Sequence, residues 1–174
     1  MVLTEDARCF VEGRTMIIII NGAPGVGKSK TAELLHEQTQ NSAWVDGDWL
    51  LRVNPLTGSD KERFLRYELI GTLAERYKKH GYETIVISFV YMGPNALAKQ
   101  LEYLEKVDTV KVFSIVVNKE ALTHRHTNDT YPREKLESSL EINEKIRNLE
   151  GTEIIDTSDL SLKEVVEVIK KKLE

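Results

Sequence analysis

The chain has 174 residues, enough for one ordinary domain with a real core, and its 41 % hydrophobic and 30 % charged composition is that of a soluble globular protein. A net charge of −4 excludes a duplex-sized basic surface and a pull toward anionic membranes, although a local cluster of arginines can still hold one phosphate-bearing ligand. The single cysteine, Cys9, excludes an intramolecular disulfide and a Cys/His metal set, and fits a reducing cytoplasm.

The first residues carry Glu5, Asp6 and Glu12, which is not the basic-then-apolar pattern of a signal peptide. Met16 stands directly before the first strand, so residues 1–15 are expected to be an N-terminal extension and 16–174 the domain. Thr15–Asn21 (TMIIIIN) is β-branched and apolar and reads as a buried strand. A helix over Lys28–Gln38 and a short strand, Ser42–Asp46, follow. Asp60–Lys79 reads as a long helix with Phe64, Tyr67, Ile70, Leu73, Ala74 and Tyr77 on one stripe, and Gly81 lies just past its basic end.

Thr84–Tyr91 is a third strand, and Leu97, Leu101 and Leu104 mark a short helix. Thr109–Val117 is a fourth strand. A helix from about Lys119 runs into a polar stretch, Thr127–Arg133, and another begins near Glu134. Glu153–Asp156 is a fifth strand. The last helix opens with a capping box, Ser161 to Glu164, and a staple, Leu160 against Val165. Strands alternating with helices imply an α/β domain with a parallel sheet covered on both faces, whose ligands sit beyond the C-terminal strand ends.

Gly22-Ala23-Pro24-Gly25-Val26-Gly27-Lys28-Ser29 follows a strand, opens a helix and matches the phosphate-loop pattern G-x-x-x-x-G-K-[ST]. Glycines let backbone N–H groups cradle a phosphate where side chains would block it. Gly22, Ala23, Gly25, Val26, Gly27, Lys28, Ser29 and the following Lys30 are therefore the nucleotide-binding candidates. Lys28 is expected to bridge the β- and γ-phosphates, and the Ser29 hydroxyl to ligate Mg²⁺.

Asp46 and Asp48 flank Gly47 at the end of the second strand. One carboxylate can deprotonate an acceptor hydroxyl or hold Mg²⁺ through water, and the other can bind an acceptor group. The plainer alternative is a solvated turn with Asp48 as a helix cap. A phosphate loop on the preceding strand favours the chemical reading. Asp46 is the first choice for the catalytic or metal-linked carboxylate and Asp48 for the acceptor.

Residues 124–135 lie between two helical patterns and carry Arg125 and Arg133. A kinase must exclude water and supply cations to the transferring group, and a mobile arginine-bearing lid does both. The alternative is a polar helix connection. Arg147, on the next helix, could face the same site. His124 and His126 read as surface or packing residues. Arg52, Arg63 and Arg66 sit where an acceptor-binding helix would be; Arg52 and Arg63 are the acceptor-binding candidates.

Together GAPGVGKS at 22–29, VDGDW at 45–49 and IIDTSDLSLKEVVEVI at 154–169 resemble the P-loop small-molecule kinases: nucleoside monophosphate, shikimate and gluconate kinases, chloramphenicol phosphotransferase and a bacterial group of nucleotide-kinase-like proteins. The resemblance implies a five-stranded parallel sheet of order 2-3-1-4-5, an acceptor region at about 48–80 and a lid at about 124–135. It implies that Asp46 activates an acceptor hydroxyl, that Thr157 and Ser158 lie near the adenine, and that Arg125 and Arg133 are lid arginines. ATP, Mg²⁺ and a small-molecule acceptor are then the partners, with no nucleic acid or membrane. The regular paired lid arginines of adenylate kinases are missing, and Ser88–Gly93 replaces the glycine-rich acceptor loop of shikimate kinase, so the acceptor itself is not implied. Two other readings are an ATP-binding protein without transfer activity and a GTP switch. The second lacks its guanine-reading aspartate, since Ala121 stands where Asn118-Lys119 would require it.

Overall fold

The computed structural model describes residues 15–128 and 135–174. The chain runs β1 (Met16–Asn21), α1 (Lys28–Glu37), β2 (Ser42–Asp46), α2 (Gly47–Leu50), α3 (Asp60–Lys79) and β3 (Thr84–Phe89). It continues through α4 (Pro94–Leu104), β4 (Thr109–Val116), α5 (Lys119–Thr127), α6 (Leu136–Arg147), β5 (Glu153–Asp156) and α7 (Leu162–Leu173). The five strands pair in parallel in the order β2-β3-β1-β4-β5. That is the expected sheet.

The strand period of two divides β1 between two cores. Ile18 and Ile20 join Ala32 and Leu35 of α1, Val165, Val166 and Ile169 of α7, and Ile146 of α6. Ile17 and Ile19 point the other way, to Tyr67, Ile70 and Ala74 of α3 and Leu97 and Leu104 of α4. Both faces of the central strand are therefore dry, which explains its unbroken apolar run. Parallel pairing puts every C-terminal strand end on one rim. Asn21 of β1 is level with Phe89 of β3 and Ser114 of β4.

Local chemistry sets the helix ends. The α7 capping box forms as expected, with Ser161 Oγ accepting from the Glu164 N–H and the Ser161 N–H donating to Glu164. Leu160 packs on the same core as Val165. Ser59 and Glu62 build a second capping box on α3, and Gly81 follows its C-cap with φ +84°. Several helix and strand ends differ from the sequence reading by a residue or two, and two departures from that reading have a clear physical cause. Phe64 belongs to the α3 stripe but is exposed, because the first turns of α3 extend past the edge of the buried cluster. The third and fourth strands end two and one residues early, since Tyr91 and Val117 leave the ladders to bond the Asn21 and Asn143 side chains.

At the far end of the sheet Asp108 gathers three donors: Lys78 Nζ at 2.9 Å and the N–H groups of Thr15 and Thr109 at 2.8 and 2.7 Å. Burial acts to raise the Asp108 pKa, but these hydrogen bonds and the Lys78 charge outweigh it and hold the carboxyl down at about 2. A depressed carboxylate contributes stability that is present above its unfolded pKa of about 4 and lost as pH falls toward 2. Asp108→Asn is expected to lower the unfolding free energy by about 1–2 kcal/mol at pH 7 and by little near pH 2, read from urea denaturation at the two pH values.

Candidate active site

The phosphate loop joins β1 to α1. Its shape is held by sterics as well as by hydrogen bonds. A Cβ on Gly22 would lie 2.6 Å from Val26 Cγ2 and 3.0 Å from the Ile115 carbonyl oxygen, so the chain passes there only as glycine. Gly25 and Gly27 have φ of +85° and +101°, in the left-handed region that side chains disfavour. Gly27 is the N-cap of α1, and no side chain caps that end; no acidic residue occupies the first turn. The opening N–H groups of the helix, with the positive end of its dipole, are thus presented to an anion. Lys28 is buried, Ser29 half-buried and Lys30 exposed.

The carboxylate pair stands opposite. Asp46 is the N-cap of α2, its Oδ1 accepting from the Asp48 N–H at 2.9 Å. The cap that the plain sequence reading gave to Asp48 is made by Asp46 instead. Asp48 turns toward the phosphate loop, with Oδ2 4.0 Å from Lys28 Nζ. Gly47 between them is required by close approach, because a Cβ there would sit 2.6 Å from the Phe89 ring. Two consecutive turns, after β1 and after β2, therefore bring Lys28, Asp46 and Asp48 to one place on the rim.

The third wall is the loop after β5. Arg125, on α5, donates to the Val26 carbonyl at 2.7 Å and to the Thr157 carbonyl at 2.8 Å. It ties the phosphate loop to the segment expected near the adenine. Burial lowers the Arg125 pKa, and the nearby Asp156 charge opposes that. Ser158 is engaged in a second brace, donating its N–H and its hydroxyl to Asp156 and accepting the Asn118 N–H at 2.7 Å. Arg147 closes it, with 2.9 Å bonds to Asp156 Oδ2 and to the Val117 carbonyl. For Asp156, burial acts to raise the pKa and the Ser158 and Arg147 hydrogen bonds more than offset it, so the carboxyl is held below its ordinary value. Asn118, first residue of the near-match to a guanine motif, caps α5 by accepting from the Ala121 N–H.

The remaining candidates divide. Arg63, exposed, pairs with Asp60 on its own helix. Arg52, also exposed, stacks on Trp49 at 4.5 Å. The expected lid spans α5's end and residues 129–134, and these last, with Arg133, lie outside the described residues. Nothing in the sequence separates Arg66 from Arg52 and Arg63, yet its guanidinium lies 5.0 Å from the centre of the Phe89 ring, the same ring that Gly47 touches. Among the described residues no group of three or more His, Cys, Asp or Glu could hold a metal by itself, and no helix is long and apolar enough to cross a membrane. A Mg²⁺ site of one hydroxyl, one carboxylate, water and nucleotide oxygens needs no such group, and Ser29 with the Asp pair fits that description.

No protein-family model and no curated protein sequence matches the chain. Solved structures do. The Deinococcus radiodurans tunicamycin resistance protein superposes with a TM-score of 0.75 at 21 % identity, over 92 % of this chain and 96 % of that one. A gluconokinase from Sinorhizobium meliloti gives 0.65 at 24 % identity, over 90 % and 88 %. Shikimate kinase from Bacteroides thetaiotaomicron gives 0.65 at 18 % identity, over 91 % and 98 %. The chain has the three-layer fold of the P-loop small-molecule kinases.

Arg125→Met removes both carbonyl ties between the phosphate loop and Thr157. It is expected to weaken ATP binding roughly tenfold, as two charge-assisted bonds that position the loop are lost, while the far end of the sheet is undisturbed. Isothermal titration with ATP checks this; unchanged affinity would show that the loop holds its shape without the tie.

Proposed function

We propose that the protein is an ATP- and Mg²⁺-dependent kinase that transfers the γ-phosphate to a small-molecule acceptor. The observation that supports it most is the convergence of Lys28 and the Asp46–Asp48 pair, with Asp48 4.0 Å from the lysine ammonium at the head of the acceptor region. A phosphate loop alone serves many reactions. A phosphate loop facing a carboxylate pair across an open rim supplies what phosphoryl transfer to a hydroxyl needs: a grip on the donor and a proton acceptor beside it.

The loop N–H groups from Gly22 to Ser29 bind the β-phosphate, and Lys28 spans to the γ-phosphate. When bound, Mg²⁺ neutralises charge on the phosphates, held by the Ser29 hydroxyl and, through water, by Asp46. Asp46 has one oxygen fixed by its cap bond, which aims the carboxylate as the acceptor hydroxyl approaches. Asp48 stands between that oxygen and Lys28, placed to bind the acceptor and share its proton. Thr157 and Ser158 border the adenine. Arg125 holds the loop, and Arg133, with the segment about 124–135, supplies cations and excludes water as the site fills. Residues 48–80 receive the acceptor.

Purified protein with ATP, Mg²⁺ and a panel of nucleoside monophosphates, shikimate, gluconate and hydroxylated antibiotics is expected to release ADP faster with one acceptor than with none. Lys28→Ala should weaken ATP binding by about 10- to 100-fold. Asp46→Asn keeps the oxygen that caps α2, so the fold should hold while kcat/KM falls about 10²- to 10⁴-fold. Asp48→Asn should raise the acceptor KM more than that of ATP. ADP release that is slow and independent of every acceptor, with ATP still bound tightly, would replace this reading by a nucleotide-dependent binding protein. Full activity in Asp46→Asn would move the catalytic role to Asp48.

A further inference from the structure

Lys28 sits where positive charge accumulates. It is the first residue of α1 and is buried, and the N-cap Gly27 brings no side chain to that end of the helix. No acidic residue in the first turn offsets the helix dipole. An ammonium withdrawn from water beside the opening N–H groups of a helix calls for a counter-charge. Asp48 supplies one from the next turn of the rim. Its Oδ2 lies 4.0 Å from Lys28 Nζ, with the two side chains 28 % and 9 % exposed. The lysine expected to reach the γ-phosphate thus faces a carboxylate of the chain itself.

That carboxylate can leave without disturbing the fold. The Asp48 N–H is held by Asp46 Oδ1 at 2.9 Å, Gly47 before it is wedged on the Phe89 ring with no room for a Cβ, and Leu51 just past α2 is buried. These anchors fix the Asp48 backbone, so a change of side-chain rotamer alone withdraws the carboxylate from Lys28. At 4.0 Å the pair is longer than a charge-assisted hydrogen bond, and its attraction is of the modest size that a ligand displaces.

We infer that Asp48 is a built-in counter-ion of Lys28 that the terminal phosphates of the nucleotide displace, so that donor binding releases the carboxylate that grips the acceptor. Phosphate oxygens and Asp48 compete for one ammonium. With the phosphates on Lys28, Asp48 is left beside like charge and is driven toward the acceptor side of the turn. An acceptor that holds Asp48 there removes the competitor from Lys28, and by linkage it tightens ATP binding by the factor by which ATP tightens its own. The two halves of the site then fill together, which shortens the time that bound ATP faces water alone. The exchange on Lys28 stands on the geometry; its second half, the release of Asp48 to an acceptor, rests on the kinase reading.

The test is a double-mutant cycle on ATP affinity. The full chain, Asp48→Asn, Lys28→Ala and the double variant are titrated calorimetrically with ATP, once with Mg²⁺ and once with EDTA. Asp48→Asn keeps the side-chain size and leaves the Asp46 cap in place, and thermal unfolding verifies that each variant is folded. Asp48→Asn is expected to bind ATP roughly 3- to 10-fold more tightly than the parent in both buffers, and the gain is expected to vanish when Lys28 is already alanine. Unchanged or weaker binding in Asp48→Asn would overturn the inference, and a weakening confined to Mg²⁺ would make Asp48 a metal-linked carboxylate instead. An equal gain with and without Lys28 would overturn it too, because plain repulsion between Asp48 and the phosphates would then account for the effect. With the acceptor in hand, a non-hydrolysable ATP analogue is expected to tighten its binding severalfold; an acceptor bound equally with and without the analogue would remove the coupling. The two readings fail separately. The ATP cycle involves no transfer, so it holds even where no acceptor speeds ADP release, which removes the kinase. An acceptor-stimulated kinase whose ATP affinity ignores Asp48 removes the counter-ion.

Discussion

The rim of this sheet is organised around one buried amide. Asn21 ends β1 with no solvent exposure and reaches both neighbouring strands. Its Oδ1 accepts the Tyr91 N–H at 2.8 Å, and its Nδ2 donates to the Tyr91 carbonyl at 3.3 Å and to Ser114 Oγ at 2.9 Å. Ser114 in turn accepts from Thr152 beside β5. A primary amide buried in an apolar sheet is expensive unless every group is paired, and here the pairing itself is the useful product. It replaces ladder bonds at the point where β3 must leave the sheet and β1 must turn into the phosphate loop. Gly22 follows at once, packed against Val26 and Ile115 with no room for a side chain. The origin of the loop is therefore fixed relative to three strands before any ligand arrives.

From that origin the two sides of the rim are built differently. The side proposed for the nucleotide is braced by directional bonds. Arg125 joins loop to loop, and Arg147, Asp156, Ser158, Asn118 and Asn143 bind the ends of β4 and β5 together. The side proposed for the acceptor is a buried stack of rings, Tyr67, Phe89 and Tyr91, and beyond it Trp49, Val53, Leu56 and Phe64 are exposed. Apolar side chains left in water are covered when something closes over them. On the proposed function, a donor that never changes suits the braced side, and an acceptor that must enter, exclude water and leave suits the other.

The sequence disclosed the first side far better than the second. Strand and helix periods gave the element order, and β2, α3 and β5 begin and end where the pattern placed them, because caps and turn glycines mark those ends locally. The phosphate loop was legible since its glycines answer to backbone geometry, which is a local matter. What was not legible depends on distant partners. Gly71 sits mid-helix, where glycine is a poor choice, because a Cβ there would meet Tyr103 Cβ at 2.8 Å. Arg125 is bonded to carbonyls 99 and 32 residues away. Arg52, Arg63 and Arg66 occupy one short stretch with identical chemistry, and only the ring of Phe89, brought in by a different strand, distinguishes the third from the others.

This division bears on how the fold relates to its solved neighbours. Gluconokinase and shikimate kinase superpose over about nine-tenths of the chain at under 25 % identity, and by their names they serve different acceptors. A framework shared that widely cannot by itself choose the acceptor; the choice has to lie in the few side chains that the framework presents. On the proposed function those include the turn Asp46–Gly47–Asp48, packed on the Phe89 ring. Gly47 admits the ring, the ring faces the Arg66 guanidinium, and Arg66 Nε has no hydrogen-bond partner among the described residues. On the proposed function the turn beside the phosphate loop is where that choice would be made, since a polar group left unpaired by the wrong ligand is a stronger selector than apolar fit.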